Sequence, residues 1–303
     1  MMRRLGLAWI VLAVSSGWAA PSRNATAEEK RAADQDLLAF RNSPWACAWA
    51  RAVHLPWGTP VNAPGEHDNE FILHQRDYLT GYDSDLRVPV WVAYRLRAES
   101  LTPGPDVDSS RIEAFRPDPR LPTSEAVTHA DYTRTGYSRG HMAPNADFVF
   151  GLIPMINTYV MTNMCPQVQA FNGGIWSYLE SRVRSWARAR GMVWVVTGAL
   201  FDADADGRRD ADDRAWRIGP KAVAVPTGFY KIIVARQEGR VCALAITLPH
   251  VSADPAGLSA AQRLQAGVRS VDDLEAMTGM NLLAGLPDDE ERRLEATPEG
   301  LWP

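Results

Sequence analysis

At 303 residues, 46% of them hydrophobic and 22% charged, the chain can bury a sizeable core in one large domain or two small ones. A formal net charge of −4 excludes a globally basic nucleic-acid-binding surface, so any attraction for phosphate must be local. Three cysteines, Cys47, Cys165 and Cys242, allow at most one internal disulfide, and the absence of C-x-x-C spacing argues against zinc.

Residues 1–20 carry Arg3-Arg4, an apolar run from Leu5 to Val14 and small residues before Pro21. This reads as a secretory signal peptide cleaved near Ala19 or Ala20, and predicts a secreted or periplasmic protein; the run is short for a membrane anchor. Residues 21–68 form an N-terminal leader and packing segment: Ser22 to Asp36 is polar, a flexible leader or the start of a helix, and Trp45 to Trp57 is Trp-rich and packs on the surface of the domain that follows. His54 has no partner near it in sequence and reads as structural. In the main domain, residues 69–303, Phe71-Ile72-Leu73 and Val88 to Leu96 read as strands. Ser100 to Pro122, rich in Pro, Asp and Ser, is a long loop that carries Arg111.

The stretch from Asp131 to Arg184 holds most of the chemistry. Val149 to Met161, apolar but broken by Gly151 and Pro154, reads as short strands around a turn. Ile175, Leu179, Val183 and Trp186 recur at helical spacing; Asn172 sits just before that helix and opens a turn-prone Asn-Gly-Gly, and Asn172, Trp176, Glu180 and Arg184 fall four apart on a stripe beside them. The pattern predicts a strand ending at His141, a second strand, and a helix offering an amide oxygen, a carboxylate and a guanidinium. Such a set suits phosphodiester hydrolysis: a neutral imidazole can deprotonate water near pH 7, Asn and Glu oxygens suit magnesium, and arginines bind phosphate oxygens.

Beyond the helix, Met192 to Gly198, Val223-Ala224-Val225, Phe229 to Ala235 and Val241 to Leu248 read as strands, and Ser270 as an N-cap with Asp273 at the capping-box position. Strands and helices without regular alternation predict an α+β fold with a central, mostly antiparallel sheet flanked by helices. Asp202, Asp204, Asp206, Asp210 and Asp213, with Gly207, match the spacing of a calcium loop; an acidic solvated loop neutralised by Arg208 and Arg209 is the equal alternative. Cys165 and Cys242 lie in apolar contexts and read as buried thiols. His74, His129 and His250 read as structural or exposed.

Arg139-Gly140-His141-Met142-Ala143-Pro144, Asn163-Met164-Cys165-Pro166-Gln167, and Asn172 with Trp176 and Glu180 together resemble the DNA/RNA non-specific endonuclease family, the ββα-metal nucleases. Trp91-Val92-Ala93-Tyr94, Val196-Thr197-Gly198-Ala199 and Ser270 to Glu275 with Thr278-Gly279 extend the resemblance over Asn69 to Pro287. It implies a ββα-metal finger and an exported magnesium-dependent nuclease, with manganese able to substitute, that cleaves DNA and RNA to 5′-phosphate ends. Carried over, His141 is the general base and Asn172 the metal ligand. Glu180 holds metal-bound water, Arg184 stabilises the phosphorane, Arg139 contacts phosphate or braces the site, and Asn163 orients the loop or the histidine. Arg111 is the match for a family arginine ahead of Phe-x-x-Asp-Pro. Ser138 stands where the family usually has Asp, which leaves an end-directed exonuclease as one alternative; a non-catalytic nucleic-acid-binding scaffold is another. A plain i,i+4 ion pair competes for Glu180 and Arg184, and Trp176 reads as core.

Overall fold

The computed structural model of the protein describes residues 22–62, 70–107, 111–253, 256–296, 298 and 300–303. Residues 1–20 and the boundary at 68/69 lie outside them.

In chain order the strands that build the site are β1 (Ser22–Asn24), β2 (Glu70–His74), β3 (Leu79–Asp83), β4 (Val88–Arg97), β5 (Arg111–Glu113), β6 (Tyr137–His141), β7 (Met164–Val168), β8 (Met192–Leu200), β9 (Gly228–Gln237), β10 (Arg240–Pro249) and β11 (Val268–Arg269). The helices are α1 (Ala27–Arg41), α2 (Pro44–His54), α3 (Leu152–Asn157), α4 (Ser177–Arg190), α5 (Ala260–Ala266), α6 (Val271–Thr278) and α7 (Asp288–Glu295). Seven strands pair antiparallel in the order β11-β10-β9-β8-β4-β3-β2. The central strands β4, β8 and β9 are buried almost along their whole length, as their near-continuous apolar sequences require. This is the expected α+β architecture. No helix among the described residues is long and apolar enough to cross a membrane.

The N-terminal segment is built into the domain. Thr26 and Glu29 close a capping box at the head of α1, a Thr-x-x-Glu signature that settles the choice between leader and helix. β1 pairs with β5, and Ala25 and Ala33 pack against Ile112, Ile156 and Tyr159 in a small second core. Ion pairing of Asp34 with Arg116 (2.7 Å) ties α1 to the long loop after β4. That loop is pinned again where Asp118 accepts from Arg120 and from Thr162 Oγ1, both at 2.5 Å.

Two local expectations are corrected. Val149 to Met161 holds a helix, α3, and not strands; Gly151 caps it and Pro154 sits in its first turn, where a missing N–H costs nothing. The second strand of the finger is β7. The helix predicted from Ile175 begins at Ser177, because Asn172–Trp176 forms a wide π-type turn kinked at Gly174 (φ −105°, ψ −109°). Asn172 is therefore carried on a bend and not on the face of the helix.

Candidate active site

β6 and β7 pair antiparallel with His141 opposite Met164 and Gly140 opposite Cys165, and the chain then passes through the wide turn into α4. The expected strand–strand–helix finger is thus present. Gly140 has a steric reason: a Cβ there would lie 2.1 Å from Gln167 Oε1. Strand alternation puts Arg139 and His141 on one face, and Phe115 touches both. The Arg139 guanidinium lies 3.6 Å above its ring, and the His141 ring centroid is 5.7 Å away. Tyr159 meets His141 edge-on at 4.7 Å.

The loop after His141 is held by Asn163. This fully buried side chain accepts from Ala143 N–H (2.9 Å) and donates to Ala143 O (2.9 Å) and Thr158 O (2.7 Å). Its amide is committed to backbone, so Asn163 is a brace for the loop and not a group that meets substrate. Trp176 donates from Nε1 to His141 O (3.3 Å), which fastens the start of the helix to the strand carrying the histidine. It is core, as expected, stacked on Phe171 and packed on Phe229.

A cleft of about 270 Å³ opens beside the finger, lined by Glu113, Phe115, His129, Tyr137, Ser138, Arg139, Gln169 and Asn172 among others. Arg139 donates to His129 Nδ1 at 2.7 Å, so His129 is brought to the site by a contact across ten residues that neither helical nor strand spacing shows. Burial lowers the pKa of Arg139 from the ordinary arginine value, and the charges of Glu113 and Tyr132 oppose that fall. Ser138, where the family usually has Asp, donates to Gln169 Oε1 at 2.5 Å and so links the first strand to the head of the turn. The half-exposed Asn172 side chain makes no hydrogen bond to other described residues, leaving a hard amide oxygen on the cleft wall. A hydrated magnesium, which accepts few protein ligands, fits that donor set.

Glu180 and Arg184 do not form the i,i+4 pair that competes for them. Arg184 donates instead to Asp147 Oδ1 (3.0 Å), a fully buried carboxylate that also accepts from Tyr94 OH (2.8 Å). Glu180 is left half-buried with no cation within ion-pair distance among the described residues. Burial raises its pKa above the usual carboxylate range, Asp147 adds to the rise, and Lys231 and Arg184 oppose it. An unpaired carboxyl so perturbed is a functional-site signal. Arg111 opens β5, but its side chain lies outside what the structure describes.

The remaining expectations sort out locally. His54 accepts from Arg95 N–H (3.1 Å) and meets Arg76 O (2.8 Å), and His250 meets Val168 N–H (2.7 Å) and Pro226 O (2.8 Å); both are structural. His74 meets Arg51 at 3.0 Å. Cys47, Cys165 and Cys242 are thiols in this structure. The calcium loop is not supported. Asp202, Asp204 and Asp206 converge, but Asp210 is turned to the Ala203 N–H (2.6 Å) and to Arg214, and no helix pair flanks the loop.

The family profile described as DNA/RNA non-specific endonuclease matches residues 61–289. Nuclease EXOG, mitochondrial, of Xenopus laevis is 31% identical over 236 residues, 77% of this chain and 62% of its own length. Nuclease C1 of Cunninghamella echinulata is 36% identical over 186 residues, 60% of this chain and 72% of its own. The mitochondrial nuclease of Saccharomyces cerevisiae is 30% identical over 236 residues, covering 74% and 68%. This chain spans 62% and 58% of the frog and zebrafish relatives. A chain in the crystal structure of the EndoG/EndoGI complex superimposes with a TM-score of 0.66 at 28% identity, over 79% of this chain and 93% of that one. These names overturn the secreted or periplasmic expectation, since the frog, zebrafish, yeast and human relatives are mitochondrial nucleases.

Proposed function

The chain belongs to the DNA/RNA non-specific endonuclease family, and from that premise we propose that it hydrolyses internal phosphodiester bonds of DNA and RNA with magnesium, leaving 5′-phosphate ends. The observation that carries this reading is the finger itself: His141 is set by strand, loop brace and indole, and Phe115, which packs on its ring, lines a cleft that presents Arg139 and Asn172.

His141 is the general base that takes a proton from the attacking water. Asn172 would hold a magnesium ion through its amide oxygen, with manganese able to replace it; when bound, such an ion supplies charge neutralisation for the phosphate and the leaving oxygen. Arg139, held between the Phe115 ring and His129, meets a non-bridging phosphate oxygen, and Arg184 draws negative charge from its anchor on Asp147. Glu180 would hold water bound to that ion. Contacts of this kind go to phosphate and carry no base information, which accounts for action on both nucleic acids.

The test uses supercoiled plasmid, linear DNA and RNA with Mg²⁺, with and without EDTA, for wild type and His141→Ala. Metal-dependent nicking of plasmid by the wild type alone is expected. Degradation of linear DNA with intact plasmid would favour the end-directed reading that Ser138 raises, and no cleavage in any divalent metal would leave a binding scaffold.

A further inference from the structure

Lys231 is fully buried on the central strand β9, an unusual place for a charge that the chemistry above does not use. The register sets it opposite Thr197 on β8, whose Oγ1 accepts from Nζ at 3.1 Å. Nζ also lies 4.3 Å from the centre of the Trp176 ring. An ammonium has three donors, and this is its one hydrogen bond among the described residues. Hydrogen bonding alone therefore does not account for its burial.

Charges on the neighbouring elements act on it as well: Glu180 and Arg184 on α4, and Asp147 in the loop after β6, which accepts from Tyr94 on β4. Two carboxylates and two cations balance, but unequally: Arg184 is committed to Asp147, while Glu180 has no ion-pair partner. We propose that Lys231 is a positioning residue of the active centre: its ammonium, sealed beneath α4, supplies the counter-charge for Glu180 and holds the indole that hydrogen-bonds to the His141 backbone. Burial lowers the pKa of the ammonium, and Glu180 followed by Asp147 opposes that fall, so the field acts in both directions. The inference rests on the nuclease reading insofar as Glu180 acts as a carboxylate.

The test is a cycle of wild type, Lys231→Met, Glu180→Gln and the double variant, read in two ways. Melting temperatures report the charge coupling without reference to activity. Lys231→Met leaves Glu180 and Asp147 short of a cation and melts early, while the double variant melts several degrees higher than Lys231→Met. Additive shifts would overturn the proposal. Should Lys231→Met fail to fold, a folded double variant supports the counter-charge and an unfolded one refutes it.

Kinetics on an oligonucleotide with Mg²⁺ report the link to the site. Lys231→Met should lose roughly ten-fold in kcat near pH 7, the effect of about one unit in the ionisation of Glu180, with KM little changed and activity returning as pH rises. A pH profile of the wild-type shape, merely lowered, would mean packing alone. If the wild type does not cleave, the nuclease reading fails, and the melting cycle still decides the coupling.

Discussion

His141 is fixed from several sides: its backbone by the β6–β7 ladder and the Trp176 indole, its ring by Phe115 and Tyr159. A side chain so supported can be removed without disturbing what supports it. His141→Ala should therefore lower kcat by about two to four orders of magnitude, the usual worth of a positioned base, with the melting temperature nearly unchanged in a thermal scan. His129 and Arg139 make a different pair. Deleting the imidazole frees the guanidinium but leaves its charge, so His129→Ala should raise KM for DNA several-fold while leaving the pH profile alone. The Arg-Gly-His motif was legible because its glycine has a steric cause and its alternation a geometric one. His129, Phe115 and Asp147 were not, since each reaches the site across sequence separations that no local spacing encodes.

Elements carry the next level of the design. The loop after His141 is held by one amide: the fully buried Asn163 serves three backbone groups. Asn163→Ala orphans them, at about 1–3 kcal/mol for each buried group left unsatisfied, and urea unfolding should show a loss of that order with reduced activity. Strands were readable from sequence because β4, β8 and β9 are long apolar runs between turn signals. The short run around α3 was not, because apolar periodicity in six residues does not separate a strand from a helix. The bend at Asn172–Trp176 was legible only in part: Asn172-Gly173-Gly174 signals a turn, but the fourfold spacing is helical, and only the Gly174 backbone departs from it. At the far end, α6 and α7 bring Asp272, Glu275 and Glu295 together. Burial pushes Glu275 up to about 7, with Asp272 and Glu291 adding and the Leu282 N–H opposing; burial likewise pushes Glu295 up to about 7. A carboxyl raised on folding contributes stability below its unfolded pKa and loses it as pH rises through the folded value. The melting temperature should therefore fall between about pH 5 and 8, and Glu295→Gln should flatten that fall.

At the scale of the whole molecule, electrostatics oppose the substrate and do not recruit it. The formal charge is −4, and the arginines nearest the phosphate route are few and partly neutralised, Arg184 by Asp147. A duplex held through about two phosphate contacts releases few counterions, so log(kcat/KM) should fall with log[salt] at a slope near −2. Between about 50 and 200 mM NaCl at fixed Mg²⁺ that amounts to roughly ten-fold, against the thousand-fold or more of a protein with six to ten such contacts. Arg139→Gln should reduce the slope by about one, because it removes one phosphate contact and nothing that reads sequence. An unchanged slope would place the phosphate contacts outside the Arg139 cleft. A much steeper one would require a basic surface that the sum of the charges does not provide.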